Sequence, residues 1–253
     1  MKILEFGNNE KRIFLLIHGF QCPWQVWDKY IEHYKNDFHI IVPVITGHDP
    51  DKKEVFVSFE EDTRNIEDSI ISRYGNDVYA VFAMSMGGVL AATIWQNKRL
   101  RIKNIIFDGS PLTSMNPVIK AYMRSFYLHV THKTQQRDEK TIKQASGTII
   151  ASDNMDDFLK VLDNMTDNTI VNAINAIADF KLNTDISTAG TKIHFFHGTA
   201  LNEMLAKKSA KYLKKHYPNT TVKCFDGKSH CENSIIHPEI MIDELDRILV
   251  GQH

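Results

Sequence analysis

The sequence predicts an α/β fold: a mostly parallel sheet flanked by helices, into which a helical cap is inserted. Three observations predict it. Apolar runs of strand length recur at residues 13–18, 38–44, 78–83, 102–108, 192–197 and 221–225, and nearly all are continuous rather than alternating, the pattern of strands covered on both faces. Helical patterns at 25–34, 58–74, 89–97, 205–216 and 238–249 alternate with these runs, as parallel strands joined by crossover helices require. From Pro111 to about Ser187 the alternation stops, leaving helical patterns at 118–130, 155–165 and 169–180 without a strand. A strand-free insertion of that length reads as a cap with a functional purpose. The expected division is a first core part at 1–110, a cap at 111–186 and a second core part at 187–253.

Taken in order, each element has its own local reason. Ser58 and Glu61 form a capping box at the start of the second helix, and Ile66, Ile70 and Ile71 supply its apolar face. Residues 78–95 carry no charge over eighteen positions and so imitate a membrane span. The stretch changes character midway, from β-favouring Val78-Tyr79-Ala80-Val81-Phe82 through Ser85-Met86-Gly87-Gly88 to Val89-Leu90-Ala91-Ala92. A buried strand, a tight turn and a buried helix explain it better. Lys207, Lys208, Lys211, Lys214 and Lys215 form a solvated helix face opposite Leu205, Ala206, Ala210 and Leu213, and Pro238 opens the last helix.

Composition narrows the function. With 253 residues, 43% hydrophobic and 24% charged, the chain is long enough to build its own core. Thirty basic against thirty-one acidic residues give a net charge of −1, which leaves no electrostatic case for nucleic acid or an anionic membrane as the main partner. A small molecule is the expected ligand. Cys22, Cys224 and Cys231 make no C-x-x-C pair and no disulfide framework, and Met1-Lys2-Ile3-Leu4-Glu5 lacks the apolar run of a signal peptide. A reducing cytoplasm is the expected compartment.

The chemistry gathers at three places. In Ala83-Met84-Ser85-Met86-Gly87 a buried strand must turn sharply into a helix, which holds Ser85 on a strained turn with its hydroxyl exposed. Ala83 and Gly87 are small because strand and helix backbones crowd there. The amide of Met86, at the helix start, would point at a developing oxyanion. His18-Gly19-Phe20 follows the first run, and Gly19 lets the backbone come close enough for the Phe20 amide to be the second donor. His18 itself reads as a strand-end histidine bonded to loop backbone. Gly227-Lys228-Ser229-His230-Cys231 follows the last run and brings His230 in as general base. His48, His194, His197 and His237 are weaker candidates, His194 and His197 because they lie in or at the end of a strand.

The serine elbow, the His-Gly-Phe loop and the late Gly-x-x-His together resemble the α/β-hydrolase superfamily over essentially the whole chain, in particular bacterial cytoplasmic hydrolases of the carboxylesterase and lipase type. The resemblance implies Ser85 as nucleophile, His230 as base, the amides of Phe20 and Met86 as the oxyanion hole, and a cap inserted after the sixth strand. Two positions depart from the pattern: Ala83 replaces the first elbow glycine, and Asp49 in Gly47-His48-Asp49 stands where glycine is frequent. The triad acid should follow the penultimate strand in a Gly-x-x-Asp pattern, yet the loop reads Gly198-Thr199-Ala200-Leu201-Asn202-Glu203 without an aspartate. Glu203 is favoured because it can both orient the imidazole and stabilise its charge. Asp108, ending the preceding strand, and Asn202 are the alternatives.

The expected activity is hydrolysis of an ester or thioester of a small to medium apolar acyl group through an acyl-enzyme, with no cofactor. Cleavage of an amide or carbon–carbon bond, or a non-catalytic ligand-binding role, are the rival readings. Cys22, Cys231 and a histidine lack close ligand spacing, so no metal is expected and the thiols are read as pocket lining. Trp24 and Trp27 either line the pocket or pack the first helix on the sheet. Of the large apolar side chains of the cap, Phe126, Tyr127, Met155, Phe158, Leu159 and Met165, some should face the serine.

Overall fold

Seven strands make one sheet in a computed structural model that describes residues 1–249. They are β1 (Lys2–Phe6), β2 (Ile13–Ile17), β3 (His39–Val44), β4 (Asp77–Met84), β5 (Arg101–Asp108), β6 (Lys192–Gly198) and β7 (Thr221–Phe225). The spatial order is β1-β3-β2-β4-β5-β6-β7. β1 runs antiparallel to β3, and every other neighbouring pair is parallel. All of β2 and β3 is buried, as continuous apolar runs in a two-sided sheet should be. The sequence reading lacks β1. This edge strand carries Lys2 and Glu5 and stays half exposed, so its apolar signal is diluted by the charges that protect an edge.

The flanking helices are α1 (Asp28–Tyr34), preceded by a 3-10 turn at Trp24–Trp27, then α2 (Phe59–Tyr74), α3 (Met86–Asn97), α8 (Met204–His216), α9 (Glu232–Ile235) and α10 (Pro238–Leu249). The Ser58 hydroxyl accepts from the Glu61 amide at 3.2 Å and starts α2 as its sequence dictates. Trp27 is fully buried with its ring against Tyr30 and Phe82, at 5.1 and 5.3 Å between centroids, so it packs the first helix on the sheet. Trp24 is half buried beside Phe6 of β1. The uncharged stretch at 78–95 is β4 followed by α3. Among the described residues no helix is long and apolar enough to cross a membrane.

Helix α3 begins at Met86, three residues before its apolar pattern does. Gly87 and Gly88 are poor helix formers, yet packing requires them here. A Cβ on Gly87 would lie 2.4 Å from the His18 carbonyl oxygen and 2.5 Å from that of Ile17, and one on Gly88 would meet the Ser110 Oγ at 1.8 Å. Backbone atoms cannot yield as a side-chain tip can. Gly87→Ala is therefore expected to destabilise the fold by about 2–3 kcal/mol, measured as a lower denaturant midpoint at unchanged slope.

Four helices lie between β5 and β6: α4 (Pro117–Gln135), α5 (Glu139–Ala145), α6 (Met155–Asn164) and α7 (Asp167–Asp179). The insertion thus leaves the sheet after the fifth strand of this chain, not after a sixth. α5 is absent from the sequence reading because Glu139-Lys140-Thr141-Ile142-Lys143-Gln144-Ala145 has almost no apolar face; the Asp138 side chain caps it by accepting from the Thr141 amide. These helices are tied to the loops that leave the carboxyl ends of β2 and β3. The Gln21 side-chain amide donates to the Thr131 hydroxyl at 2.6 Å, the Phe56 backbone amide to the Thr169 hydroxyl at 3.2 Å, and the Asn172 side chain to the Phe56 carbonyl at 2.9 Å. Phe158 and Met165 are buried, and Tyr127 packs edge-on against Phe20 at 5.1 Å. Phe126 instead turns outward and lies stacked on exposed Tyr122.

Candidate active site

Between Ala80 and Trp95 every residue is buried except Ser85. It sits at the junction of β4 and α3 with φ 50° and ψ −118°, a conformation a non-glycine residue holds only where its surroundings impose it. The surroundings are evident. The Ser85 amide donates to the Asp108 carbonyl at 2.8 Å, the Gly88 amide donates back to the Ser85 carbonyl at 3.0 Å, and Gly19 packs so closely that a Cβ there would be 3.4 Å from the serine Cβ. Ser85 is only partly buried, and none of these backbone contacts engages its hydroxyl.

His230 reaches that hydroxyl from the far edge of the sheet. Its Nε2 is 2.9 Å from Ser85 Oγ, and its Nδ1 is 2.5 Å from Glu203 Oε1. The ring is held at the turn after β7 by Cys231, left-handed at φ 51°, and by Gly109, where φ is 62° and any Cβ would lie 2.8 Å from His230 Cε1. Glu203 is fully buried at the end of a 3-10 turn, Leu201–Glu203, that leads into α8. Its second oxygen, Oε2, accepts the Gly198 amide at 2.8 Å. One oxygen is thus fixed by the backbone and the other faces the imidazole. Burial alone would lower the pKa of His230, but the hydrogen bond and negative charge of Glu203 outweigh it and raise the pKa above the ordinary histidine value.

The structure brings Ser85, His230 and Glu203 into one hydrogen-bonded chain and leaves both alternative acids outside it. Asn202 is exposed. Asp108 is buried and accepts the Ser234 hydroxyl on Oδ2 at 2.5 Å, and burial pushes its pKa up to about 7. Sequence reasoning had no access to Ser234, which lies 126 residues away from its partner. Gly109 is likewise not among the sequence candidates, although a glycine directly after strand-end Asp108 is the available signal.

The remaining candidates have other surroundings. His18 is buried, its Nδ1 bonded to the Gly19 carbonyl at 2.9 Å and its Nε2 accepting the Ile45 amide at 3.1 Å, and burial lowers its pKa to about 4. His48 accepts the Gln21 amide at 2.9 Å on Nε2, and burial with the neighbouring His18 lowers its pKa to about 3. His197 bonds the Gly198 carbonyl through Nδ1 at 2.8 Å. His194 lies in β6, and His237 sits within 4 Å of Glu232 and Glu239. Cys22 and Cys231 are free buried thiols, the first with its pKa raised by burial to about 12.

No protein-family model and no curated protein sequence matches the chain. Its structure does match solved ones. An alpha/beta hydrolase family protein from Desulfitobacterium hafniense superposes with a TM-score of 0.76 at 18% identity, covering 98% of this chain and 100% of the other. A structure from a study of carboxylesterases of the thaumarchaeon Nitrososphaera gargenis gives 0.79 at 15% identity, over 98% and 93%. A thermophilic esterase from Thermogutta terrifontis gives 0.72 at 16%, over 98% and 92%. At such identities the likeness speaks for the architecture, and over nearly its whole length this chain has the α/β-hydrolase fold.

Proposed function

We propose that the chain is a serine hydrolase that cleaves an ester or thioester of a small to medium apolar acyl group. The observation that carries this reading is the continuous hydrogen-bond path from Ser85 through His230 to buried Glu203. Ser85 Oγ attacks the acyl carbon while His230 Nε2 takes the hydroxyl proton. Glu203 holds Nδ1–H toward itself and balances the imidazolium charge. The amides of Phe20 and Met86 receive the oxyanion. His230 then gives its proton to the leaving oxygen or sulfur, and an acyl-enzyme remains. Water, deprotonated by the same imidazole, releases the acid and restores the serine. No cofactor enters these steps. Residues 111–186 serve as the cap in this reading, and Tyr127, packed on Phe20, supports an apolar acyl side.

A fluorophosphonate probe should label Ser85, and p-nitrophenyl esters of increasing chain length should be turned over with a preference for apolar acyl groups. An intact protein that neither reacts with the probe nor hydrolyses any of these esters would favour a ligand-binding role instead.

The rate should depend on pH through His230. Only the neutral ring can accept the serine proton, so kcat/KM should fall as pH drops through the histidine pKa. Because Glu203 raises that pKa, the midpoint should lie above the ordinary value of 6.5. Removing the carboxylate charge should move the limb to lower pH. A pH profile of kcat/KM for wild type and Glu203→Gln checks both statements.

A further inference from the structure

Gly19, Phe20, Gln21 and Cys22 form a reverse turn closed by the Cys22 amide on the Gly19 carbonyl at 3.3 Å. Its third residue, Gln21, has φ 60°. Glycine or asparagine normally occupies such a position, since the left-handed region is unfavourable for a side chain. A glutamine that tolerates this strain must be held there. Three contacts hold it: its backbone amide donates to His48 Nε2 at 2.9 Å, and its side-chain amide donates to the Thr131 hydroxyl at 2.6 Å and approaches Met165 Sδ at 3.8 Å. His48 is buried and neutral, so its Nε2 is free to accept while Nδ1 faces the Thr46 carbonyl. Thr131 lies in α4 and is itself fixed, donating to the Tyr127 carbonyl at 2.6 Å. Gln21 is thus the direct hydrogen bond between the turn carrying Phe20 and the cap, and it is buried at 7% exposure.

We infer that Gln21, gripped by His48 from the core and by Thr131 from the cap, is a positioning residue that fixes the direction of the Phe20 amide, so that the oxyanion site is complete only when the cap is seated. The inference rests on the serine hydrolase reading above. Gln21 touches no reacting atom. Its effect passes through the turn: without the side-chain anchor the left-handed residue relaxes toward an ordinary β-turn, and the neighbouring peptide planes rotate with it.

Two substitutions remove the anchor from opposite ends. Gln21→Met removes the side-chain donor while keeping the length of the side chain and leaving a strained left-handed residue, and Thr131→Val deletes the acceptor while keeping the shape. Each should lower kcat for a p-nitrophenyl ester by about 10- to 100-fold, less than the loss of a whole oxyanion donor, with KM changed by less than about threefold. Inhibition by a trifluoromethyl ketone, whose serine adduct carries the oxyanion, should weaken by the same factor, and inhibition by the matching methyl ketone should not. The double variant should lose no more than the worse single one, because both cut one connection. Thr131→Ser should restore the rate. Folded variants with wild-type kcat, losses that fall equally on both ketones, or losses that multiply in the double variant would overturn the inference. Ser85→Ala run alongside separates the two levels: if it keeps full activity, the hydrolase reading itself falls.

Discussion

Ser85→Ala is expected to reduce ester hydrolysis by about 10³-fold or more while leaving the thermal transition intact. The size follows from what the hydroxyl does: without it no acyl-enzyme forms, and only the binding and oxyanion contributions remain. The fold should tolerate the change because the elbow is held by backbone and not by the hydroxyl. The Ser85 amide bonds the Asp108 carbonyl, its carbonyl accepts the Gly88 amide, and among the described residues Oγ has only His230 as partner. Alanine should even leave Nε2 of a part-exposed ring free to water. His230→Ala should cost a similar factor, since removing one member of a unit disables the rest. Retained turnover with a native unfolding transition would rule out Ser85 as nucleophile. A slower probe reaction in parallel with lost turnover would support it.

The five interior strands, β2 to β6, announced themselves because a strand covered on both faces has nowhere to put polar residues, and β7, at the other edge, was legible because Val222, Cys224 and Phe225 keep it mostly apolar. β1 did not, since this edge strand is kept soluble and unpaired by the very charges that hide it. The serine elbow was legible for a related reason: the buried run, the small neighbours and the serine are adjacent in sequence, so local sterics identify the turn. Its partners are not adjacent. His230 could be picked from its place after the last strand, but the acid could not be chosen by pattern. Positions 202 and 203 both fall on the loop after β6, and which side chain turns inward depends on a 3-10 turn whose direction is set by packing. That turn buries Glu203 fully and leaves Asn202 in solvent. The Gln21 contact was invisible for the same reason, since its partner is 110 residues away on a helix of the insertion.

Glu203→Gln should preserve the structure and lower kcat by about 10²- to 10⁴-fold. Glutamine is nearly isosteric, so the Gly198 amide keeps an oxygen acceptor at the position of Oε2. The other end then presents an amide N–H to His230 Nδ1, where a carboxylate oxygen now stands at 2.5 Å. That N–H can only be accepted, so the ring is driven to the tautomer with its proton on Nε2, facing Ser85, where it cannot take the serine proton. The charge that stabilised the imidazolium is lost as well, and both effects act in the same direction. Asp108→Asn makes the contrasting case. Asparagine can still accept from the Ser234 hydroxyl, and the carboxyl it replaces, its pKa raised by burial to about 7, makes no hydrogen bond to His230, so the hydrogen-bond path from Ser85 to Glu203 stays intact. The rate of that variant should stay within about an order of magnitude of wild type. Measuring kcat for the two variants side by side decides between the acids: a large loss in Asp108→Asn with a silent Glu203→Gln would transfer the role to Asp108, and a loss confined to Glu203→Gln, with its acidic limb displaced to lower pH, is the outcome the hydrogen-bond path requires.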